Sequence, residues 1–373
     1  MERTAADAIT HAAEPHVAGD GAGRIGRRRL LATGVMVAAT AGAASLILPA
    51  RPSLAAAPRA VAAPGPRKTP IGVVYGGADI GALPIWLADR LGYFRDEGLD
   101  VRLTKVPWNA HPSAMTRLNN GDAQFITISM DMLEADFDCC EAATTRGNAV
   151  YVAAAVPVPV FSLLGARGVR DMASLRGKRV AAPGEGASAA HFDLGLALGH
   201  AGLGLGDIRL QNGLPANKVL QQLRSGAVAA AMLPPPMSIR AHQMGFGLLA
   251  NPAAYRRPYP SAWLAADRRW LSAHRPIAVA FLRVFVRGLT AARQMPAAAT
   301  AALAAATGIG QRALAAATYR ECAAYFADPP LPPVPGVQAA LAMIARYHPT
   351  VAVAARAARP ASFVDDSVLR SVL

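Results

Sequence analysis

The sequence predicts a two-lobed α/β protein with parallel-rich sheets, flanking helices and a cleft between the lobes. From residue 71 onward, strand-like and helix-like segments alternate, and one order of strand, glycine-rich loop, helix, strand, helix and strand occurs twice. Two short segments connect the copies, one leading out and one leading back. Since a helix between two strands of one sheet makes those strands parallel, each copy predicts a parallel-rich sheet of its own.

The composition fits a globular protein with room for two domains. The chain has 373 residues, of which 53% are hydrophobic, and its mean hydropathy is +0.25. The net charge of +14 raises the question of nucleic-acid binding, but only four of the 38 basic residues are lysines, and the arginines are scattered among alanines. The chain has no basic stretch with interleaved aromatic residues that would hold phosphates and stack bases, so we expect no nucleic-acid partner.

The N-terminal segment has the order of features found in an export signal. Arg27–Arg29 precede the weakly apolar run Leu30–Ala50, and Ser53-Leu54-Ala55 offers small residues for cleavage. This order resembles a twin-arginine signal over residues 1–55, followed by a flexible lead-in rich in alanine and proline over residues 56–70. The alternative is a membrane anchor, since the run is near the length that spans a bilayer. The weak hydrophobicity favours the signal, so we expect a mature protein in the periplasm.

The first copy begins with the buried strand Ile71–Tyr75 and a glycine-rich loop. A helix begins near Pro84, which fits the first turn because its missing N–H would have no partner there. Gly92 is expected to end this helix, because glycine adopts a positive φ without a Cβ clash. The copy continues with a strand from about Leu99 to Leu103, a helix from about Pro112 to Asn120 and the strand Phe125–Ile128.

The second copy follows the same order. Its elements are a strand Arg179–Ala182, a helix Ser188–Ala201, a strand Ile208–Leu210, a helix Ala216–Leu223 and a strand Val228–Leu233. We therefore assign residues 71–160 to the first part of lobe I, 161–258 to lobe II, and 259–373 to a return into lobe I plus C-terminal helices. The two crossings, near Pro157 and Tyr259, predict a hinge.

The motifs of both copies resemble one known group of proteins. They are Pro84-Ile-Trp-Leu-Ala88 through Gly92-Tyr-Phe94, Glu97-Gly-Leu-Asp-Val101, the Leu-x-x-Gly-x-Ala joints, Leu175-Arg-Gly-Lys-Arg-Val180 and Val364-Asp365. Together they resemble the nitrate, sulfonate, taurine and thiamine-precursor group of periplasmic solute-binding proteins of ABC importers. The resemblance implies a type II periplasmic-binding-protein fold and a monomer that carries a small ligand to a membrane permease. It implies neither a reaction nor a cofactor.

The loop Gly184–Ala189 is the best candidate for a polar ligand contact, since it links a strand to a helix. Backbone N–H groups at Gly186 and Ala187, with the hydroxyl of Ser188, could receive an anion at the positive end of the helix. Ser188 could instead simply cap that helix. A third reading is the dinucleotide fingerprint G-x-G-x-x-A with Asp207 as ribose acid, which would make the protein an exported oxidoreductase. No histidine or acid is marked by the sequence as a partner for Ser188, so a catalytic serine is not predicted.

Other pocket candidates follow the ends of predicted strands. They are Gly77, Asp79, Trp108, Asn109, Ser129 and Pro235. An exposed Trp108 could stack on a planar or alkyl group of a ligand. Asp79 favours an amino group over a bare anion, so the charge of the ligand stays open.

Metal binding is not predicted. The chain has no C-x-x-C motif and no histidines at helical i, i+4 spacing. Cys139, Cys140 and Cys322 are the cysteines, and we expect buried thiols rather than a disulfide.

Overall fold

The computed structural model describes residues 68–76, 80–107, 111–138, 147–184 and 188–373. The predicted export signal and all but the last three residues of the predicted lead-in lie outside this part of the chain. Within it, the strands are β1 (Thr69–Gly76), β2 (Leu99–Val106), β3 (Phe125–Ile128), β4 (Ala149–Val156), β5 (Ser162–Gly165), β6 (Arg179–Pro183), β7 (Arg209–Leu214), β8 (Ala230–Leu233), β9 (Gly247–Ala250) and β10 (Ala262–Asp267).

The helices follow the predicted alternation and continue to the C terminus. They are α1 (Leu83–Arg90), α2 (Tyr93–Asp96), α3 (His111–Asn119), α4 (Asp131–Asp138), α5 (Ala189–His200), α6 (Ala216–Ser225), α7 (Met237–Gln243), α8 (Arg268–Ala273), α9 (Arg275–Gln294), α10 (Pro296–Thr307), α11 (Arg312–Ala323), α12 (Val334–Tyr347), α13 (Ala352–Ala357) and α14 (Ser367–Arg370). Among the described residues, none of these helices combines the length and the apolar character that crossing a membrane requires.

The strands form two sheets with the same internal arrangement. Their orders are β2-β1-β3-β10-β4 and β7-β6-β8-β5-β9. In the first sheet β1 is parallel to β2 and β3, and β10 is antiparallel to β3 and β4; in the second, β6, β7 and β8 are parallel and β5 is antiparallel to its neighbours. The fold is therefore the predicted two-lobed α/β class, with parallel-rich sheets that each carry one reversed strand.

Two segments cross between the sheets, and each of them connects the edge of one sheet where the parallel strands end to the corresponding edge of the other sheet. The first residue of β5, Ser162, pairs with Leu233 at the carboxyl end of β8. The first residue of β10, Ala262, pairs with Val156 at the carboxyl end of β4. Both crossings thus connect the edges at which the parallel strands end, and those edges adjoin. The backbone N–H of Tyr259 donates a 2.8 Å hydrogen bond to the carbonyl of Pro157, which ties the two crossings together.

Each sheet is covered by helices because its strands are apolar on both faces. In lobe I, Phe125 of β3 stacks on Phe281 of α9 with ring centroids 3.9 Å apart. Gly288 of α9 lies so close to α1 that a Cβ there would be 2.2 Å from the carbonyl oxygen of Pro84. In lobe II, Leu194 and Leu198 of α5 belong to the main core.

The opposite face of the lobe II sheet has its own small core. Val219 and Leu223 of α6 pack there with Leu164 of β5, beside Ala241 of α7. The helices α5 on one side and α6 and α7 on the other therefore sandwich the sheet.

Several element bounds differ from the prediction. A short helix, α2, lies between Gly92 and β2, where the sequence predicted no element. β7 continues to Leu214, beyond the predicted end at Leu210, because Leu214 pairs with Pro183 of β6. Near the C terminus, Val364 forms a parallel bridge with Tyr151, which places the Val364-Asp365 motif beside β4.

Candidate ligand-binding site

Three of the predicted site residues can be located, and all three lie at the carboxyl ends of parallel strands. Ser129 follows β3, Ser188 lies between β6 and α5, and Pro235 follows β8. The others lie outside the described residues: Gly77, Asp79, Trp108, Asn109, Gly186 and Ala187. In open sheets of this kind, ligands bind beyond the carboxyl ends of the strands.

Ser188 occupies the N-cap position of α5, but its side chain does not cap the helix. Its hydroxyl lies 2.7 Å from Nδ1 of His191 and 3.2 Å from the carbonyl oxygen of Pro183. The backbone N–H groups of Ala189 and Ala190 consequently have no acceptor among the described residues. The simple capping role for Ser188 was therefore wrong, and the positive end of α5 keeps two N–H donors that the described residues leave unused.

His191 is the functional candidate that the sequence analysis missed. Its side chain is buried, and its Nε2 has no hydrogen-bond partner among the described residues. Burial lowers the pKa of His191 to about 4, so the imidazole is neutral at physiological pH. The i, i+3 spacing from Ser188 at a helix start, which puts both side chains on one face, was the signal that could have revealed it.

The imidazole tautomer decides whether the Ser188–His191 pair keeps a spare donor. With the proton on Nδ1, the ring donates to the hydroxyl, whose own proton is then held only by the long contact to Pro183. With the proton on Nε2, the hydroxyl donates to Nδ1 and the buried Nε2–H is unpaired. Together with the two N–H groups of α5, the pair can serve an anionic or strongly accepting group.

Gly184 shapes the start of this loop. Its φ is +83°, and a Cβ at this position would lie 2.9 Å from the hydroxyl oxygen of Ser188. Gly213 of β7 donates a 2.7 Å hydrogen bond to the carbonyl of Gly184, which fixes the loop to the neighbouring strand. A side chain here would be strained and would also displace Ser188.

The sequence marked no histidine as a partner for Ser188, but the structure places His191 against its hydroxyl. The pair nevertheless lacks the third group of a catalytic triad. An activating histidine needs a group that orients its second nitrogen, and among the described residues no group forms a hydrogen bond with Nε2 of His191. The low pKa of His191 also makes it a weak base at neutral pH.

The dinucleotide reading of the Gly184 loop conflicts with the position of Asp207. β6 and β7 run parallel, with Arg179 beside Arg209 at one end and Pro183 beside Leu214 at the other. Asp207 precedes β7 and forms an ion pair with Arg176, so it lies at the edge opposite to Gly184. A ribose acid would have to follow β7 instead.

Ser129 and Pro235 are engaged in local structure. The Ser129 hydroxyl donates to the carboxylate of Asp131, and its carbonyl accepts a 2.7 Å hydrogen bond from the Tyr151 hydroxyl. Pro235 is buried and is joined to Pro236 by a cis peptide bond just before α7. Ser129 and Pro235 remain predicted contacts of the cleft.

A buried carboxylate, Asp193, binds lobe II to the outgoing crossing. Its Oδ2 accepts hydrogen bonds from the backbone N–H of Val160 at 3.1 Å and of Phe161 at 2.9 Å. Next to it in α5, Phe192 stacks on Tyr259 of the return crossing with centroids 3.8 Å apart. The first turns of α5 thus carry both the Ser188–His191 pair and the contacts that hold the two crossings.

Metal chemistry has no support in the described residues, where no group of three histidine, cysteine, aspartate or glutamate side chains could hold an ion. Cys322 is a buried free thiol, and burial raises its pKa. Cys139 and Cys140 lie outside the described residues.

The family described as NMT1/THI5 like matches residues 80–299, which include both sheets except for the first strand. The chain belongs to this family. The match agrees with the resemblance seen in the motifs. No curated protein sequence matches the chain significantly.

Solved structures similar to this NMT1/THI5-like chain include periplasmic binding proteins. The alkanesulfonate-binding protein SsuA from Xanthomonas axonopodis pv. citri, bound to MOPS, is 20% identical with a TM-score of 0.59, over 77% of this chain and 95% of that one. The aliphatic sulphonate-binding protein SsuA from Escherichia coli is 20% identical with a TM-score of 0.57, over 68% and 83%. The nitrate-binding protein NrtA from Synechocystis PCC 6803 is 12% identical with a TM-score of 0.60, over 82% and 89%. The shared feature is the two-lobed fold.

Proposed function

We propose that the protein is the substrate-binding component of an ABC-type importer, which captures a small organic solute between its lobes and delivers it to a membrane permease. The proposal rests mainly on one observation. Both crossings connect the two sheets at the carboxyl ends of their parallel strands, and the Ser188–His191 pair lies at that end of β6. The fold shared with sulfonate-binding and nitrate-binding proteins supports this function.

The proposed ligand is a sulfonate-, taurine- or nitrate-like anion. The available groups at the start of α5 are donors: two backbone N–H groups, the Ser188–His191 pair and the positive helix end. A neutral His191 adds a donor without adding a charge. A thiamine-precursor-like pyrimidine is the second ligand class, since Asp79 and Trp108, if they reach the cleft, would suit an amino group and a planar ring.

We expect binding and release without a reaction. The lobes would close on the ligand about the two crossings, and a partner permease would recognise the closed form. We expect a monomer, which size-exclusion chromatography with light scattering measures directly. The second candidate function, an exported oxidoreductase with a nucleotide at Gly184–Ala189, is not favoured because of the position of Asp207.

The decisive experiment is a thermal-shift screen of the purified protein with sulfonates, taurine, nitrate, aminopyrimidines and aromatic acids, followed by calorimetry of the best ligand. A tight anion with one site per chain is the expected result. An absorption spectrum of the same sample shows whether a flavin or nicotinamide copurifies. A bound nucleotide cofactor together with no response to the panel would contradict the proposal.

We also propose that the protein is periplasmic after cleavage near Ala56, on the basis of Arg27–Arg29 and the apolar run behind them. N-terminal sequencing of the periplasmic protein tests this. A mature chain that still carries Leu30–Ala50 would indicate a membrane anchor.

A further inference from the structure

A second cavity lies at the end of lobe II that faces away from the cleft. It has a volume of about 850 Å³ and is bounded by the turn after β5, the start of β6, the end of α6, the segment that leads into β8 and the segment after α7. β6 runs from Arg179 at this cavity to Pro183 at the loop of Ser188, a separation of roughly 13 Å at about 3.3 Å per residue. The cavity is therefore distinct from the candidate ligand-binding site.

Four basic side chains line this cavity without a counter-charge. They are Arg167, Lys178, Arg179 and Arg224, and all four are exposed to solvent. The described residues of the lining include no aspartate and no glutamate, and none of the four basic side chains forms an ion pair or a side-chain hydrogen bond with another described residue. The cavity thus presents four positive charges that an anion from solution can reach.

The acidic residues that are near in sequence are engaged elsewhere. Asp207 forms an ion pair with Arg176 and accepts a 2.8 Å hydrogen bond from the backbone N–H of Gly204. Asp171 accepts a 2.8 Å hydrogen bond from the backbone N–H of Ser174. Neither carboxylate forms an ion pair with a basic side chain of the cavity.

Arg179 also lies beside another arginine. In the parallel pairing of β6 with β7, its direct partner is Arg209, which is exposed as well. Like charges side by side on neighbouring strands repel each other and destabilise the sheet. An anion bound at Arg179 would relieve this repulsion.

Two other lining residues have a local explanation. Arg224 lies in the last turn of α6, where a cation is favourable even without a ligand. The hydroxyl of Ser225 donates to the carbonyl of Gln222 at 3.1 Å, so we leave Ser225 out of the site. Arg167 lies in a turn and Arg179 at the start of a strand, so no helix end accounts for their positions.

The size and the charge of the cavity together define its occupant. The volume falls within the range of small-molecule pockets. Guanidinium groups bind the oxygens of phosphate with two parallel hydrogen bonds, which favours phosphate over other anions. A phosphate group carries about −1.5 to −2 charges at neutral pH, so four cations match two such groups.

We propose that this cavity is a second site, which binds a molecule that carries two phosphate groups through Arg167, Lys178, Arg179 and Arg224. Apart from Ser225, the rest of the lining consists of small or apolar residues, which offer no competing polar side chain. The site lies at the opposite end of lobe II from the cleft, so it is independent of the proposed transport function.

The test is isothermal titration of the purified chain with sodium pyrophosphate in magnesium-free buffer at low salt. We expect saturable binding with one site per chain, which weakens as sodium chloride is added. Arg179→Gln should weaken binding about tenfold or more, because a hydrogen bond to a charged group is lost. The matched control is Arg102→Gln, which removes an exposed strand arginine of lobe I and should leave the affinity unchanged. No saturable binding, or equal affinities of the two variants, would overturn the proposal.

Cosedimentation with phosphatidylcholine vesicles, with and without cardiolipin, identifies the source of the phosphate groups. Binding of pyrophosphate without retention on cardiolipin vesicles would support a soluble ligand. Retention on cardiolipin vesicles that pyrophosphate displaces and that Arg179→Gln weakens would support a lipid headgroup at the same site. Retention that Arg179→Gln leaves unchanged, together with no binding of pyrophosphate, would show attraction by the net charge alone and would overturn the site.

Thermal unfolding separates a ligand contact from a purely structural role of Arg179. Without ligand, Arg179→Gln should melt at the same temperature as the parent or higher, because the repulsion from Arg209 has been removed. Pyrophosphate should raise the Tm of the parent more than that of the variant. A variant that melts lower and gains as much from pyrophosphate as the parent would show that Arg179 serves the fold instead.

Discussion

The carboxylate of Asp193 accepts a 2.9 Å hydrogen bond from the backbone N–H of Phe161, which joins the second turn of α5 to the crossing between the lobes. The other oxygen of this carboxylate has no partner in the described part of the chain. A carboxyl group in such a dry position favours its protonated form. This contact therefore makes the stability of the fold depend on pH.

We expect Asp193 to destabilise the fold as the pH rises from about 4 to about 8. Burial raises its pKa from 3.8 to about 8, although the N–H groups of Phe161 and Val160 oppose the shift. In this window the folded chain keeps a proton that the unfolded chain releases, so the free energy of unfolding falls with pH. A shift of about four units corresponds to on the order of 5 kcal/mol.

Urea unfolding of the parent and Asp193→Asn at the two ends of this window measures the effect. Asparagine keeps an oxygen acceptor for the two N–H groups but does not titrate. The stability of the parent relative to the variant should therefore drop by several kcal/mol toward the alkaline end. The exposed Asp100→Asn serves as control, and an equal difference at both pH values would show that Asp193 does not titrate there.

His191 should act in the opposite direction at lower pH. Burial lowers its pKa from 6.5 to about 4, so between these values the unfolded chain binds a proton that the folded chain does not. The contribution of the neutral His191 to stability is fully present above pH 6.5 and is lost on acidification toward pH 4, by roughly 3 kcal/mol. His191→Gln should remove this acid sensitivity in urea unfolding, whereas His200→Gln, at an exposed position of the same helix, should leave it intact.

Ser188→Ala should weaken binding of an anionic ligand by about ten- to a hundredfold. The mutation removes either a donor or the group that holds the His191 ring, and a hydrogen bond to a charged group is worth roughly 1.5–3 kcal/mol. Since the hydroxyl does not cap α5, the cost in stability should be smaller than the roughly 1 kcal/mol of a lost cap.

Calorimetry and urea unfolding on the same variant separate these two effects. Ser188→Asp should abolish anion binding, because it places a like charge at the site. Ser225→Ala, on the exposed end of α6, is the control. If Ser188→Asp binds the anion as tightly as the parent, the anion site lies elsewhere.

Ligand should bring the lobes together about the crossings at Pro157 and Tyr259. Only two segments have to bend, and they are already bonded to each other at 2.8 Å. Small-angle scattering should show a smaller radius of gyration in the presence of the best ligand and no change with a solute that does not bind. An unchanged radius under saturation would indicate a rigid pocket.

Gly288→Ala should destabilise lobe I. Its Cβ would lie 2.2 Å from the carbonyl oxygen of Pro84, so α9 would have to move away from α1, at a cost of about 1–3 kcal/mol. Gly195→Ala is the matched control in a helix with no atom in the way, where alanine should instead stabilise by roughly 0.5–1 kcal/mol. Thermal unfolding that ranks both variants equally would contradict this packing argument.

Local sequence pattern was sufficient for the order of strands and helices, since Phe125–Ile128 and most other segments fall where their periodicity puts them. It could not reveal that β10 inserts between β3 and β4, because this pairing depends on contacts distant in sequence. The helix α2 was missed because four residues carry too little periodicity to recognise.

The residues of the candidate site could also be predicted only in part from the sequence. Ser188 was found from its position between a strand and a helix. His191 and Asp193 were missed because their importance comes from burial and from missing partners, which no short motif encodes. A buried histidine on an apolar helix looks like any other core residue until its neighbours are known.

The insertion of β10 also decides which half of the protein can assemble first during synthesis. The five strands of lobe II come from one uninterrupted stretch, Ser162–Ala250, whereas β3 and β4 of lobe I are not neighbours and need Ala262–Asp267 between them. A chain that emerges from the ribosome N terminus first therefore completes its second sheet before its first. Until then, the edges of β3 and β4 that β10 will cover stay available for pairing with other chains, so this interval carries a risk of aggregation.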